Sequence, residues 1–155
     1  MRRMAWIVTP VLILALSAAP VRAQSAPVID VDTFGLELCP QSVCGAAIFA
    51  GFLAGQVGSN PHALGTFIVG VIHETPLPDP GEVVALKDGA FELRVGLRRL
   101  RGIVSGGTLL ANVVPANTFT VSADLTLENG AELRFEGLLD HNVFPPTIVG
   151  RMVSQ

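Results

Sequence analysis

Residues 123–136, ADLTLENGAELRFE, carry an Asn129-Gly130 pair flanked by apolar alternation, a strong short-range hairpin signal. A turn of those two residues alone sets Leu127 opposite Glu132 and Leu125 opposite Arg134, mixing apolar and charged side chains on one face. A three-residue loop, Glu128-Asn129-Gly130, with Gly130 left-handed behind a type I turn, removes the conflict. Leu127 then faces Ala131, Leu125 faces Leu133, Ala123 faces Phe135 and Phe119 faces Leu139. On the opposite face Asp124 meets Arg134 as an opposite-charge pair. The ribbon is amphipathic, so one of its faces must cover a core.

The same pattern recurs in VVALKDGAFELRV at 83–95. It predicts a second hairpin around Lys87-Asp88-Gly89, with Leu86 against Ala90, Ala85 against Phe91 and Val83 against Leu93. Five segments share a glycine between apolar neighbours: Phe49–Leu53, Ile68–Ile72, Leu100–Val104, Phe135–Leu139 and Ile148–Met152. Glycine weakens an isolated strand, so its repeated mid-strand placement marks bends where a sheet curls or closes. After residue 25 no stretch has a convincing helical period, although 25–46 is ambiguous and has room for one helical turn. The expected fold class is all-β, a single antiparallel meander forming a small closed or strongly curled β-barrel of about eight strands. The alternative is a two-sheet β-sandwich. Strands are expected near 47–57, 65–75, 82–87, 90–98, 100–105, 108–113, 118–127, 131–141 and 147–153. The Pro- and Gly-rich stretches SNPHALG, TPLPDPG and NVFPPT serve as loops. In size and strand count the pattern is similar to the calycin group of ligand-binding barrels. It lacks the Gly-x-Trp signature of lipocalins and the Trp residues that line biotin-binding barrels, so no family is assigned.

The chain opens MRRMAWIVTPVLILALSAAPVRAQ, with Arg2 and Arg3 ahead of an apolar run and small residues before Ala23. Residues 1–23 read as a signal peptide cut near Ala23, which implies export to a periplasmic or extracellular compartment. No later apolar run is long enough for a membrane span in the mature form. Cleavage removes Arg2, Arg3 and Arg22, leaving seven basic against thirteen acidic side chains and a net charge of about −6. An acidic surface excludes nucleic acid as a partner, because phosphate binding requires positive charge. Trp6 leaves with the signal peptide and Tyr is absent, so every mature aromatic is Phe, which argues against a sugar-binding platform.

The mature chain divides into an N-terminal segment, 24–46, holding a disulfide loop, and a β domain, 47–155. Cys39 and Cys44 are expected to be bonded to each other in an oxidising compartment. Their C-x4-C spacing does not match redox motifs, and two ligands do not make a zinc site.

Two acid-plus-histidine pairs are the candidate ligand- or metal-binding residues. His73-Glu74 and Asp140-His141 each end an expected strand, four residues past Gly70 and Gly137 for Glu74 and His141. In an up-and-down meander both pairs reach one rim, where imidazoles and carboxylates bind a metal or do acid and base work. The register above places His141 at the end of the inward row 133, 135, 137, 139. Glu74 takes the matching place on the row Ile68, Gly70, Ile72 if the strands kink in step. Against this stands ordinary capping at strand ends beside proline turns. Arg94, Arg98, Arg99 and Arg101 form a basic stretch best read as a rim paired with carboxylates, and a parity shift between Leu97 and Leu100 marks a bulge or corner. Asp30-Val31-Asp32 lacks the spaced oxygens of a calcium loop.

Segments 47–57 and 65–75 are apolar on both faces. Their outer face therefore needs a cover, either the disulfide segment or a second copy of the chain. No catalytic motif and no cofactor fingerprint is present. The leading expectation is an exported β-barrel module that binds a small apolar ligand or a protein partner, with no catalysis evident and no cofactor. The alternatives are a self-associating cell-envelope protein and a barrel enzyme with a His/carboxylate rim site.

Overall fold

The computed structural model describes residues 27–155; the expected signal peptide lies outside the described residues. Eight strands follow one another: β1 (Ile29–Cys39), β2 (Ala47–Val57), β3 (Asn60–His73), β4 (Val83–Val95), β5 (Arg98–Ala111), β6 (Thr118–Leu127), β7 (Glu132–Asp140) and β8 (Thr147–Ser154). Each pairs antiparallel with its chain neighbour, and β8 pairs back onto β1, closing the barrel. Closure leaves no free edge to template aggregation. One helical turn, α1 (Gln41–Cys44), lies between β1 and β2. No helix among the described residues is long and apolar enough to cross a membrane, which says nothing about a β-barrel.

The β6–β7 hairpin takes the register its side chains demand. Leu125 faces Leu133, Ala123 faces Phe135, Phe119 faces Leu139 and Asp124 faces Arg134. The Leu127 N–H donates to the Ala131 carbonyl at 2.9 Å, and Gly130 has φ +83°, the left-handed residue of a three-residue loop.

The second expected hairpin does not form. Lys87, Asp88 and Gly89 lie inside one continuous strand, β4, whose pairing with β3 shifts register between Ile72 and His73. Lys87, next to the Asp-Gly dipeptide, is thus the extra residue of a β-bulge, which reverses side-chain parity without reversing the chain. Gly89 is required by close approach: a side chain there would meet the Gly70 carbonyl and, at 2.9 Å, the Val104 side chain. The actual reversal is the two-residue turn Gly96-Leu97 between Val95 and Arg98, which accounts for the parity shift near Leu97. Likewise 100–105 and 108–113 fuse into β5, with a bulge between Val104 and Gly106. One strand is gained, since β1 occupies about half of the stretch expected to precede the β domain.

Inward rows fill one end of the barrel with large side chains. Ile29, Val31, Leu93 and Leu133 are among the most deeply buried, close to the short turns joining β2 to β3, β4 to β5 and β6 to β7. The longer loops, residues 40–46, 74–82, 112–117 and 141–146, all lie at the opposite end, as an up-and-down meander requires. Four of the five mid-strand glycines, Gly51, Gly102, Gly137 and Gly150, stand on inward rows. A side chain at Gly102 would lie 2.6 Å from the Phe91 ring, and one at Gly150 2.6 Å from the Phe135 ring. The glycines leave room for phenylalanine rings laid across neighbouring strands. Gly70 points outward into open space.

Outside, ion pairs and apolar side chains share the wall. Arg134 binds Asp124, Glu136 and Ser122, and Arg151 holds both oxygens of Asp30 at 2.8 Å. Asp30 is therefore an ion-pair partner on the outer wall. Leu138, Val149, Phe34 and Phe52 form one exposed cross-strand row, with Phe52 68% and Phe34 50% exposed. The disulfide segment does not cover this face.

Candidate functional site

Toward the loop end the barrel interior is open, enclosing a cavity of about 590 Å³. Its wall is nearly all apolar: Phe49, Phe67, Phe91 and Phe135 contribute rings, and Val69, Val121 and Met152 fill between them. Loop residues Pro40, Gln41, Thr75, Pro76 and Leu77 line the mouth. The Cys39–Cys44 disulfide, with Cα atoms 6.1 Å apart, closes the small loop that carries α1. Gln41 fastens this loop across the mouth. Its side-chain amide donates to the His73 carbonyl at 3.0 Å, and its side-chain oxygen accepts from the His73 N–H at 2.8 Å. A side chain thereby extends the β3 ladder by one pair of bonds.

Inside this apolar wall Glu37 is the single carboxylate among the described residues, and neither lysine nor arginine among them lines the cavity. The row Ile29, Val31, Thr33, Gly35, Glu37 runs up the inner face of β1 by strand alternation. Pairing with β2 shifts between Glu37 and Cys39, so Leu38 is the extra residue of a bulge, while the Glu37 N–H donates to the Pro146 carbonyl at 2.8 Å. The bulge ends the row with the carboxylate still directed inward; its side chain is only 7% exposed. The Glu37 Oε2 lies 3.3 Å from Nε2 of His141. That contact does not have hydrogen-bond geometry, and His141 Nε2 is buried without a hydrogen-bond partner among the described residues.

His141 is held from three directions. Its N–H donates to the Asn117 carbonyl at 3.0 Å, extending the β6–β7 ladder by one residue. Its ring packs edge-on against Phe119, centroids 5.2 Å apart, and Glu37 stands opposite. The inward parity of the row from Leu133 to Leu139 carries the ring to the mouth of the cavity.

The other sequence candidates separate. His73 ends the inward row Phe67, Val69, Val71 and lines the mouth, with its Nδ1 donating to the Glu74 carbonyl at 2.6 Å. Glu74 belongs to the outward row with Ile68, Gly70 and Ile72, and its carboxylate pairs with Lys87 at 3.4 Å. Asp140 accepts the Asn142 N–H at 2.8 Å, turning the chain into the loop. The carboxylate that meets His141 is thus Glu37. Its signal was a period-two row closing on one charge. That row was obscured because the outer row of β1 changes from Asp30 and Asp32 to Phe34, Leu36 and Leu38, reversing the apparent hydrophobic face halfway along the strand. Among the described residues no group of three His, Cys, Asp or Glu side chains is placed to hold a metal ion.

The basic stretch closes on one acid. Arg94, Arg101 and Arg99 approach Glu92 at 2.5, 2.8 and 3.4 Å. Hydrogen bonds from Arg101 and then Arg94 hold the Glu92 carboxyl down to about 2. The stretch is an exposed ion-pair cluster on the outer wall.

Comparison with protein-family models, with curated proteins and with solved structures finds no match.

Proposed function

We propose that the protein is an exported binding module whose barrel takes one small apolar ligand into its cavity. The observation that carries this is the cavity: about 590 Å³ of space walled by apolar side chains, within the 300–1,000 Å³ usual for small-molecule sites. A barrel built only as a scaffold fills its interior with side chains. The apolar interior also differs from that of a transmembrane barrel, which turns polar residues inward, and ion pairs stand on the outer wall beside its apolar side chains. The exported setting is supported by the Cys39–Cys44 bond. The test is uptake of the neutral apolar dye N-phenylnaphthylamine, followed by fluorescence, with native mass spectrometry of the protein purified from its own host. Dye should bind one per chain, and Val69→Trp, which fills the cavity from its wall, should abolish uptake. Absence of uptake by the folded wild type, or uptake unchanged in Val69→Trp, overturns the reading.

Self-association is a second reading, favoured by the exposed row Leu138, Val149, Phe34, Phe52 on the outer wall. Contiguous apolar patches of this kind mark association surfaces. Sedimentation of wild type and Phe52→Lys tests it: a dimer that dissociates in the variant supports the reading, and a monomeric wild type ends it.

A further inference from the structure

We propose that the ligand is an apolar alcohol whose hydroxyl sits between Glu37 and His141; this rests on the binding-module reading above. Two polar groups at the cavity mouth have unmet bonding capacity. The Glu37 side chain is 7% exposed, and among the described residues the cavity wall carries no lysine or arginine. His141 Nε2 is buried, lies 3.3 Å from that carboxylate and makes no hydrogen bond among the described residues. Buried polar groups without partners are uncommon in folded proteins and point to a missing ligand, ion or water.

The chemistry of the pair selects the ligand. An ionised carboxylate only accepts hydrogen bonds, whereas an imidazole with its proton on Nε2 donates there. A hydroxyl donates one bond and accepts others, so a single oxygen donates to Glu37 while accepting from His141. A fatty acid places a second carboxylate against Glu37. A hydrocarbon leaves both groups unmatched. A protonated amine donates to Glu37 but offers no acceptor to an Nε2 that carries its proton. Deeper in the barrel the wall asks only for an apolar body: Gln41, Ser42, His73 and Thr75 stand at the mouth, and the Thr33 hydroxyl is spent on the Gly150 carbonyl at 3.2 Å.

The experiment is displacement of N-phenylnaphthylamine from the full mature chain by decanol, decanoate, decylamine and decane. Wild type should release dye at roughly tenfold lower decanol than decanoate concentration, the worth of one hydrogen bond to a charged group. In Glu37→Leu that preference should shrink to about twofold or less while the dye still binds. Glu37→Gln, which keeps the shape and loses the charge, should improve decanoate relative to decanol, so either folded variant reads the same quantity. Equal affinities for decanol and decanoate in wild type, a preference that survives both substitutions, or decylamine binding best each overturn the alcohol assignment while leaving the cavity a binding site. Failure of the dye to enter wild type overturns the binding-module reading, and the alcohol falls with it.

Discussion

The Glu37 carboxylate stands 3.3 Å from Nε2 of His141 at the mouth of an apolar cavity, joining the first strand of the barrel to the end of the seventh. Neither group satisfies the other, and an apolar wall is an unfavourable place for a charge.

Glu37→Leu should stabilise the ligand-free barrel. Replacing a carboxyl group on an apolar wall by a packed apolar side chain is worth about 1–3 kcal/mol, or several degrees in a domain of this size. Thermal unfolding of the empty protein checks this. A lowered midpoint would mean that the Glu37–His141 contact stabilises the fold.

The glycines divide by the side of the wall they face. Gly102→Ala places a methyl group 2.6 Å from the Phe91 ring and should cost about 1–3 kcal/mol through overpacking. Gly70→Ala meets nothing within 4 Å and should raise stability by about 0.5–1 kcal/mol, the usual cost of a strand glycine. Urea unfolding of the two variants, side by side, reads the sign of each.

Gln41 holds the disulfide loop across the mouth through two bonds to the His73 backbone. Gln41→Ala removes about 0.5–1.5 kcal/mol per bond, most of it felt locally. Dye release measured by stopped flow should quicken several-fold, with the unfolding midpoint changed little. An unaltered release rate would show that the loop does not gate the cavity.

Glu92 should titrate far below an ordinary glutamate. Arg101, then Arg94, hold its carboxyl near 2 against an ordinary 4.5. With the folded value depressed, its contribution to stability is present above pH 4.5 and is lost as pH falls toward 2. The cluster is exposed, so the contribution is small and screened by salt. Carboxyl NMR titration gives the value directly. Acid unfolding of Glu92→Gln should lose part of its slope in the same window.

The sequence by itself determined the all-β class and the β6–β7 register and favoured a barrel over a sandwich, because class and register rest on local rules. Side-chain parity along a ribbon is set within a dozen residues, and a loop that mixes Leu with Glu on one face is excluded without any tertiary knowledge. The disulfide followed from two cysteines five positions apart, and the inward direction of His141 followed from the same parity.

Tertiary structure decided whatever depended on bulges and on the face that closure turns inward. Asp88-Gly89 carries the composition of a turn, yet it stays in the strand beside a bulge at Lys87, because β3 lies against it and needs glycine for close approach. Glu74 appeared to match His141 by counting from glycine, but Gly70 faces outward where Gly137 faces inward, so equal spacing led to opposite sides of the wall. The acid that meets His141 sits on β1, whose outer row turns apolar at Phe34 and stays so through Leu36 and Leu38. A period-two pattern identifies a core face only while the other face is polar. Where the outer wall is apolar as well, the sequence holds two equally plausible interiors, and barrel closure chooses between them by placing Ile29, Val31 and Glu37 on the same inward row.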